Sequence, residues 1–271
     1  MTPEDAFALL ERSRELRFAY PSSFGDPGLE GDAPDREELA EAVDVLDAER
    51  TDELAANTWR LWMTAPRDVE GGRRFLEGKK SSGALYGAGL LALRDGDVVE
   101  SRRLSEQALE VADGPEETAL AHLGLSRVAF EEGNADEALR HALDARQAAA
   151  PLGEPPWPTP LHLQAQALRL QGDLDQAAEL FEESLVLNRR IGDEGMVTVE
   201  VYNLGLVHVR REDREAAERY LTQVEDDPLA AAALAFVRGD RDGARAYLDQ
   251  VDDGELPTDD RAEADWLRSR L

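Results

Sequence analysis

Small and apolar residues recur at helical spacing along this chain, in blocks separated by short polar breaks. QGDLDQAAELFEESL (171–185) contains one of them: a Gly-Asp pair splits what would otherwise be one long amphipathic run. Comparable breaks stand at Pro66, Gly96, Gly133, Gly172, Glu212 and Gly239, at spacings of 30, 37, 39, 40 and 27 residues. The residue after the break is Asp97, Asn134, Asp173, Asp213 or Asp240 in the last five units. Asp and Asn there serve as N-caps, because their side-chain oxygens accept the orphan backbone N–H groups of the next helix. Glu100, Glu137 and Gln176, three residues later, complete a capping-box pattern. A glycine before the cap suits the left-handed turn that ends a helix. Each break therefore predicts a tight helix–turn–helix.

Five residues after the break stand Gly71, Ser101, Ala138, Ala177, Ala217 and Ala244, all small. Seven before it stand Trp59, Gly89, Ser126, Ala165, Gly205 and Ala232, small in all but the first. Small residues facing each other across two helices allow close approach. Nine after the break, Phe75, Ala142, Phe181, Leu221 and Leu248 are apolar, with Ala142 the smallest, while Ser105 is the polar exception.

This pattern resembles the tetratricopeptide repeat over roughly residues 50 to 253. The resemblance implies an all-α, right-handed superhelical solenoid of antiparallel hairpins. About six units are expected, near 50–80, 82–112, 116–150, 159–191, 195–225 and 228–253, within a solenoid spanning 35–257. Residues 37–78, with Trp59, Trp62 and Gly72-Arg73-Arg74-Phe75-Leu76, resemble the start of the repeat region in bacterial STAND-type transcriptional regulators. The chain has no P-loop of the G-x-x-x-x-G-K-[ST] kind, so the likeness is to the free-standing sensor segment alone.

The ends differ from the repeats. Thr2 caps a helix expected over 2–20, with Pro3 in its first turn and Glu4 and Asp5 at its positive end. Pro and Gly crowd residues 21–34, which predicts a loop, so 1–34 read as an N-terminal helix and loop that either docks on the solenoid through Phe7, Leu10 and Phe18 or stands as a detachable arm. Residues 151–160, PLGEPPWPTP, read as a stiff link. Residues 258–271 predict a capping helix with Ala262, Trp266 and Leu267 on its buried side.

Composition narrows the function. Hydrophobic residues make up 42% of the chain, enough for a packed core. The formal charge is −28, a field that repels phosphate backbones and anionic membranes, so nucleic acid and membrane are not expected partners. No run approaches the ~20 apolar residues of a membrane span. The N-terminus lacks the basic start of a signal peptide, which points to a cytoplasmic protein. There is no cysteine, which removes disulfides and thiolate metal sites. The histidines, His122, His141, His162 and His208, include no i, i+4 pair, and no nucleophile or dinucleotide motif occurs. Neither an enzyme nor a cofactor is expected, and no metal ligand set is legible.

What remains is a surface. In the family it resembles, the first helices of successive hairpins line a concave groove. At about 100° per residue, positions 10, 6, 3 and 2 before each break point away from the hairpin's own second helix. These positions supply Arg60, Tyr86, Arg94, Arg127, Phe130, His162, Gln166, Arg169, Tyr202 and Arg210 as groove candidates. Asn203 joins them as the one match to a carboxylate clamp, whose other Lys and Asn positions hold Tyr86, Leu90, Leu123 and Arg127 instead. A row of arginines in an acidic protein suits an acidic or phosphorylated peptide, since guanidinium forks match carboxylates and phosphates. Arg94 and Arg210 also sit where a cation simply complements a helix dipole. Three roles follow: a protein or peptide scaffold in bacterial signalling or regulation, a sensor of an anionic metabolite in the same groove, and a homo-oligomerisation module.

Overall fold

The computed structural model describes residues 1–6, 8–9, 38, 41–42, 45, 73, 76–153, 156–224, 226–252, 254 and 256–271. Arg60, nearly all of the first expected unit, most of the STAND-like segment and the 21–34 loop lie outside them.

Among the described residues the chain is all-α, a solenoid of five hairpins. They are α1 (Ser82–Arg94) with α2 (Val98–Glu110), α3 (Pro115–Glu131) with α4 (Ala135–Ala149), and α5 (Pro158–Gln171) with α6 (Leu174–Ile191). α7 (Glu194–Arg210) with α8 (Arg214–Leu221) and α9 (Pro228–Arg238) with α10 (Arg241–Leu248) follow, and α11 (Thr258–Arg270) closes the chain. At the other end, Thr2 Oγ1 accepts from the Asp5 backbone N–H at 3.1 Å, capping a helix that begins at Pro3.

The breaks carry out two jobs with one residue. Gly172 adopts φ +85°, its N–H bonds Arg169 O at 3.1 Å, and the Asp173 N–H bonds Leu168 O at 2.9 Å. That is a Schellman ending. The Asp173 side chain then accepts from the Gln176 N–H at 3.3 Å to start α6. Because the Asp173 backbone N–H is already spent on Leu168 O of α5, the Gln176 side-chain amide donates to the Asp173 carboxylate instead of accepting from that N–H. Glu137 likewise accepts from the Asn134 side-chain amide at 2.9 Å, whereas Glu100 pairs with Arg103 at 2.6 Å. The same two backbone bonds recur at Gly96, Gly133, Glu212 and Gly239, and Glu212 takes the left-handed conformation without being glycine, at φ +59°.

The small residues are at the hairpin contacts. Ala138, Ala177, Ala217 and Ala244 are buried, and a Cβ on Gly205 would lie 2.5 Å from Leu221 Cδ2. Each hairpin packs on the next; α1 also contacts α3, α3 contacts α5 and α7 contacts α9, while side-chain hydrogen bonds from His162 and Arg169 join α5 to α7. Polar ties join the turns of adjacent hairpins: Gln171 Nε2 donates to Asp136 Oδ1 at 2.7 Å, and Arg211 Nη2 lies 2.9 Å from Asp175 Oδ1.

α11 breaks this nearest-neighbour order. Its apolar side joins the last core cluster through Ala264 and Leu267, among Leu229, Leu234 and Leu248, with Trp266 edge-on to Phe236. Ala262, expected on that side, is exposed. The same helix also reaches α5, two hairpins back.

Candidate functional site

The contact between α11 and α5 is polar. Asp259 and Glu263 are i, i+4 on α11 and share a face. Asp259 and Asp260 stand in the first turn, at the positive end of the helix dipole. Opposite them stand Arg169 in the last turn of α5 and Arg210 in the last turn of α7.

Arg169 is the centre. Its Nη2 donates to Asp259 and lies 3.4 Å from Asp260 Oδ1, and its Nη1 donates to Asn203 Oδ1 at 2.9 Å. Among the described residues its Nε has no hydrogen-bond partner, with Glu263 Oε1 4.0 Å away. The side chains of Arg169 and Asp259 are only 1% and 3% exposed, so this is a buried ion pair, not a surface bridge. Arg210 Nη1 donates to both Glu263 oxygens at 3.3 Å, and its guanidinium lies 5.2 Å from the Trp266 ring centroid. Gln166 Nε2 donates to Asp259 at 3.5 Å, and Thr258 Oγ1 donates to Glu131 Oε2 at 3.1 Å.

Burial pushes the Asp260 carboxyl up from its usual range, against the pull of Arg169. Burial also pushes the Tyr202 phenol well above its usual value, with the Asp260 and Asp227 charges adding to it. Tyr202 therefore keeps its proton and donates it to Asp260. Two guanidiniums thus meet three carboxylates in a desolvated seam.

Of the groove candidates, the structure brings together Gln166, Arg169, Tyr202, Asn203 and Arg210 around α11. Arg127 lies apart from them, donating to the Tyr86 hydroxyl at 3.1 Å. Arg94 is exposed at the end of α1. Tyr86, Phe130 and His162, expected to face the groove, are buried. Successive first helices pack on one another, which covers Tyr86 and His162 at position 10 before the break; Phe130 packs against Ala138 and Ala167. His162 shows the result: its Nδ1 lies 3.1 Å from both oxygens of the fully buried Glu200, which also accepts from Ser184 Oγ.

Sequence reasoning missed the three carboxylates of α11. Their only signal is an acidic i, i+4 pair, which is commonplace in a chain with 58 acidic residues. It also missed a second cluster, within the α3–α4 hairpin. His122 of α3 and His141 of α4 place their Nδ1 atoms 3.0 Å apart, with Asp144 beside them. Burial lowers both imidazoles below their usual range, His141 to about 4, with the Arg140 charge adding to the effect on it. Among the described residues no helix is long and apolar enough to cross a membrane.

No family model and no curated protein matches the chain. Solved structures do. The Rap protein complexed with Competence and Sporulation Factor is 13% identical, with a TM-score of 0.64 over 99% of this chain and 80% of that one. PilF of Pseudomonas aeruginosa is 16% identical, with a TM-score of 0.55 over 83% of this chain and 99% of that one. PilW, a type IV pilus biogenesis factor, is 15% identical, with a TM-score of 0.53 over 79% and 96%. At these identities the likeness is one of fold: all are helical-repeat solenoids of the tetratricopeptide type.

Proposed function

We propose that this protein is a non-enzymatic interaction module whose groove, at Arg169 and Arg210, receives a carboxylate-rich helix of a partner protein. The carrying observation is what already lies there. The chain's own α11 presents Asp259, Asp260 and Glu263 to the two arginines, and so defines the chemistry of an occupant. A helix with acids at i and i+4 and an aromatic residue a turn further fits the seam. In the resting state α11 is a competitive resident that a partner has to displace. The likeness in fold to a Rap protein that holds a bound factor supports a binding role. The STAND-like residues 37–78 support a setting in bacterial signalling or regulation.

The test separates occupant from groove. In the full chain, Asp259→Lys with Glu263→Lys repels α11 from the arginines. A fluorescent peptide spanning residues 257–271 should then bind this variant, read by anisotropy, and much less to the wild type. Adding Arg169→Glu to the variant should abolish binding. Peptide binding that ignores Arg169→Glu would refute the reading. A small anion such as phosphate raising the melting temperature where the peptide does not bind would favour the metabolite sensor.

A further inference from the structure

We propose that His122, His141 and Asp144 form a site for a divalent transition-metal ion, with zinc as the preferred occupant, that clips α3 to α4. It is independent of the groove.

The geometry is that of ligands converging on one point. The two Nδ1 atoms are 3.0 Å apart, and one ring nitrogen of each histidine and a carboxylate oxygen of Asp144 all lie within 4.8 Å of one another. Zinc–nitrogen bonds of about 2.05 Å in a tetrahedron separate their nitrogens by about 3.3 Å. The imidazoles therefore need to part by only a few tenths of an ångström. Asp144 is partly exposed and, among the described residues, pairs with Arg140 at 3.6 Å, a loose contact that an inward turn of the carboxylate would give up. His141 and Asp144 are i, i+3 on α4, and His122 faces them across the hairpin. His122 and Asp144 are half-buried, which leaves an open side for water as a fourth ligand.

The donor set and its surroundings agree. Two imidazoles and a carboxylate without thiolate suit zinc or neighbouring first-row ions rather than calcium or magnesium. A histidine ligates through the lone pair of a neutral imidazole. Arg140 Nη2 lies 2.9 Å from His141 Nε2, so that nitrogen accepts and Nδ1 carries the proton it shares with His122 Nδ1. When an ion takes both Nδ1 atoms, the proton of His141 moves to Nε2, and the ring stays neutral. Glu137 Oε1, 3.8 Å from Nε2, then accepts it, as outer carboxylates do for metal-bound histidines. Arg140 is exposed enough to withdraw.

The experiment uses the full chain, stripped with chelator and titrated with zinc chloride by calorimetry. One ion per chain should bind with micromolar or tighter affinity and raise the melting temperature. Cobalt(II) in its place should give the visible band of tetrahedral coordination. His122→Asn with His141→Asn, checked by circular dichroism for native helicity, should weaken zinc binding by roughly 100-fold or more. If that variant is unfolded, Asp144→Asn, which leaves the histidine pair intact, should weaken binding and diminish the cobalt band. The proposal is overturned if zinc uptake is not saturable at one per chain, or if a folded variant binds as well as the wild type.

Discussion

Arg169 and Asp259 stand ninety residues apart in the chain and meet in a buried ion pair. That contact ties α11 back to α5, two hairpins away, in a stack where, among the described residues, the hairpins otherwise meet their neighbours. Burying the charges is costly, so each is tolerated only while its partner is present.

Arg169→Ala leaves Asp259 and Asp260 without their cation and should cost about 3–5 kcal/mol in urea unfolding. Asp259→Ala in the Arg169→Ala background should cost much less than Asp259→Ala alone, a coupling of about 1 kcal/mol or more. The coupling should persist at high salt, because a desolvated pair is poorly screened.

Glu212 holds the left-handed position that glycine fills at four of the other breaks, with its N–H bonded to Val209 O at 3.1 Å. Glu212→Gly relieves that conformation and should raise stability by about 1 kcal/mol, with α7 and α8 unchanged by circular dichroism.

Gly205→Ala has the opposite sign. Its Cβ would meet Leu221 Cδ2 at 2.5 Å, across the α7–α8 contact. Overpacking should cost about 1–3 kcal/mol, and trimming the neighbour with Leu221→Ala should make the glycine substitution nearly neutral.

His208 is buried and stacked on Tyr220, with ring centroids 5.6 Å apart, and neither ring nitrogen completes a hydrogen bond. Burial lowers it below the usual histidine range. The Arg211 and Arg219 charges add to that, and Asp213 and Glu182 oppose it. A histidine depressed in the folded state favours the neutral ring. Its contribution is therefore whole above the unfolded value near 6.5 and is lost as pH falls from there through the lower folded value. Unfolding free energy measured between pH 7 and 5 should fall less steeply in His208→Phe than in the wild type.

The hairpins were legible because their signals are local. A break at Gly172, a cap at Asp173 and a small residue at Ala177 lie within six residues, and a Schellman turn and N-cap are made by those residues alone. The candidate site was legible only in part. Helical periodicity put Arg169 and Arg210 on one stripe of the first helices, but not that Arg169, Tyr86, Phe130 and His162 would all be buried. Their burial depends on how closely successive hairpins stack, which no single hairpin encodes.

By itself, then, the sequence determined the repeating unit, its turns and its acidic, cysteine-free chemistry, all set by residues within one hairpin. The tertiary structure alone decided that α11 returns to the arginines, and that His122 and His141 come together from two helices. Both depend on packing over distances that local spacing does not carry. Asp259 is one acid among many until the last hairpin and its apolar contacts aim it at Arg169, where desolvation gives the pair its strength.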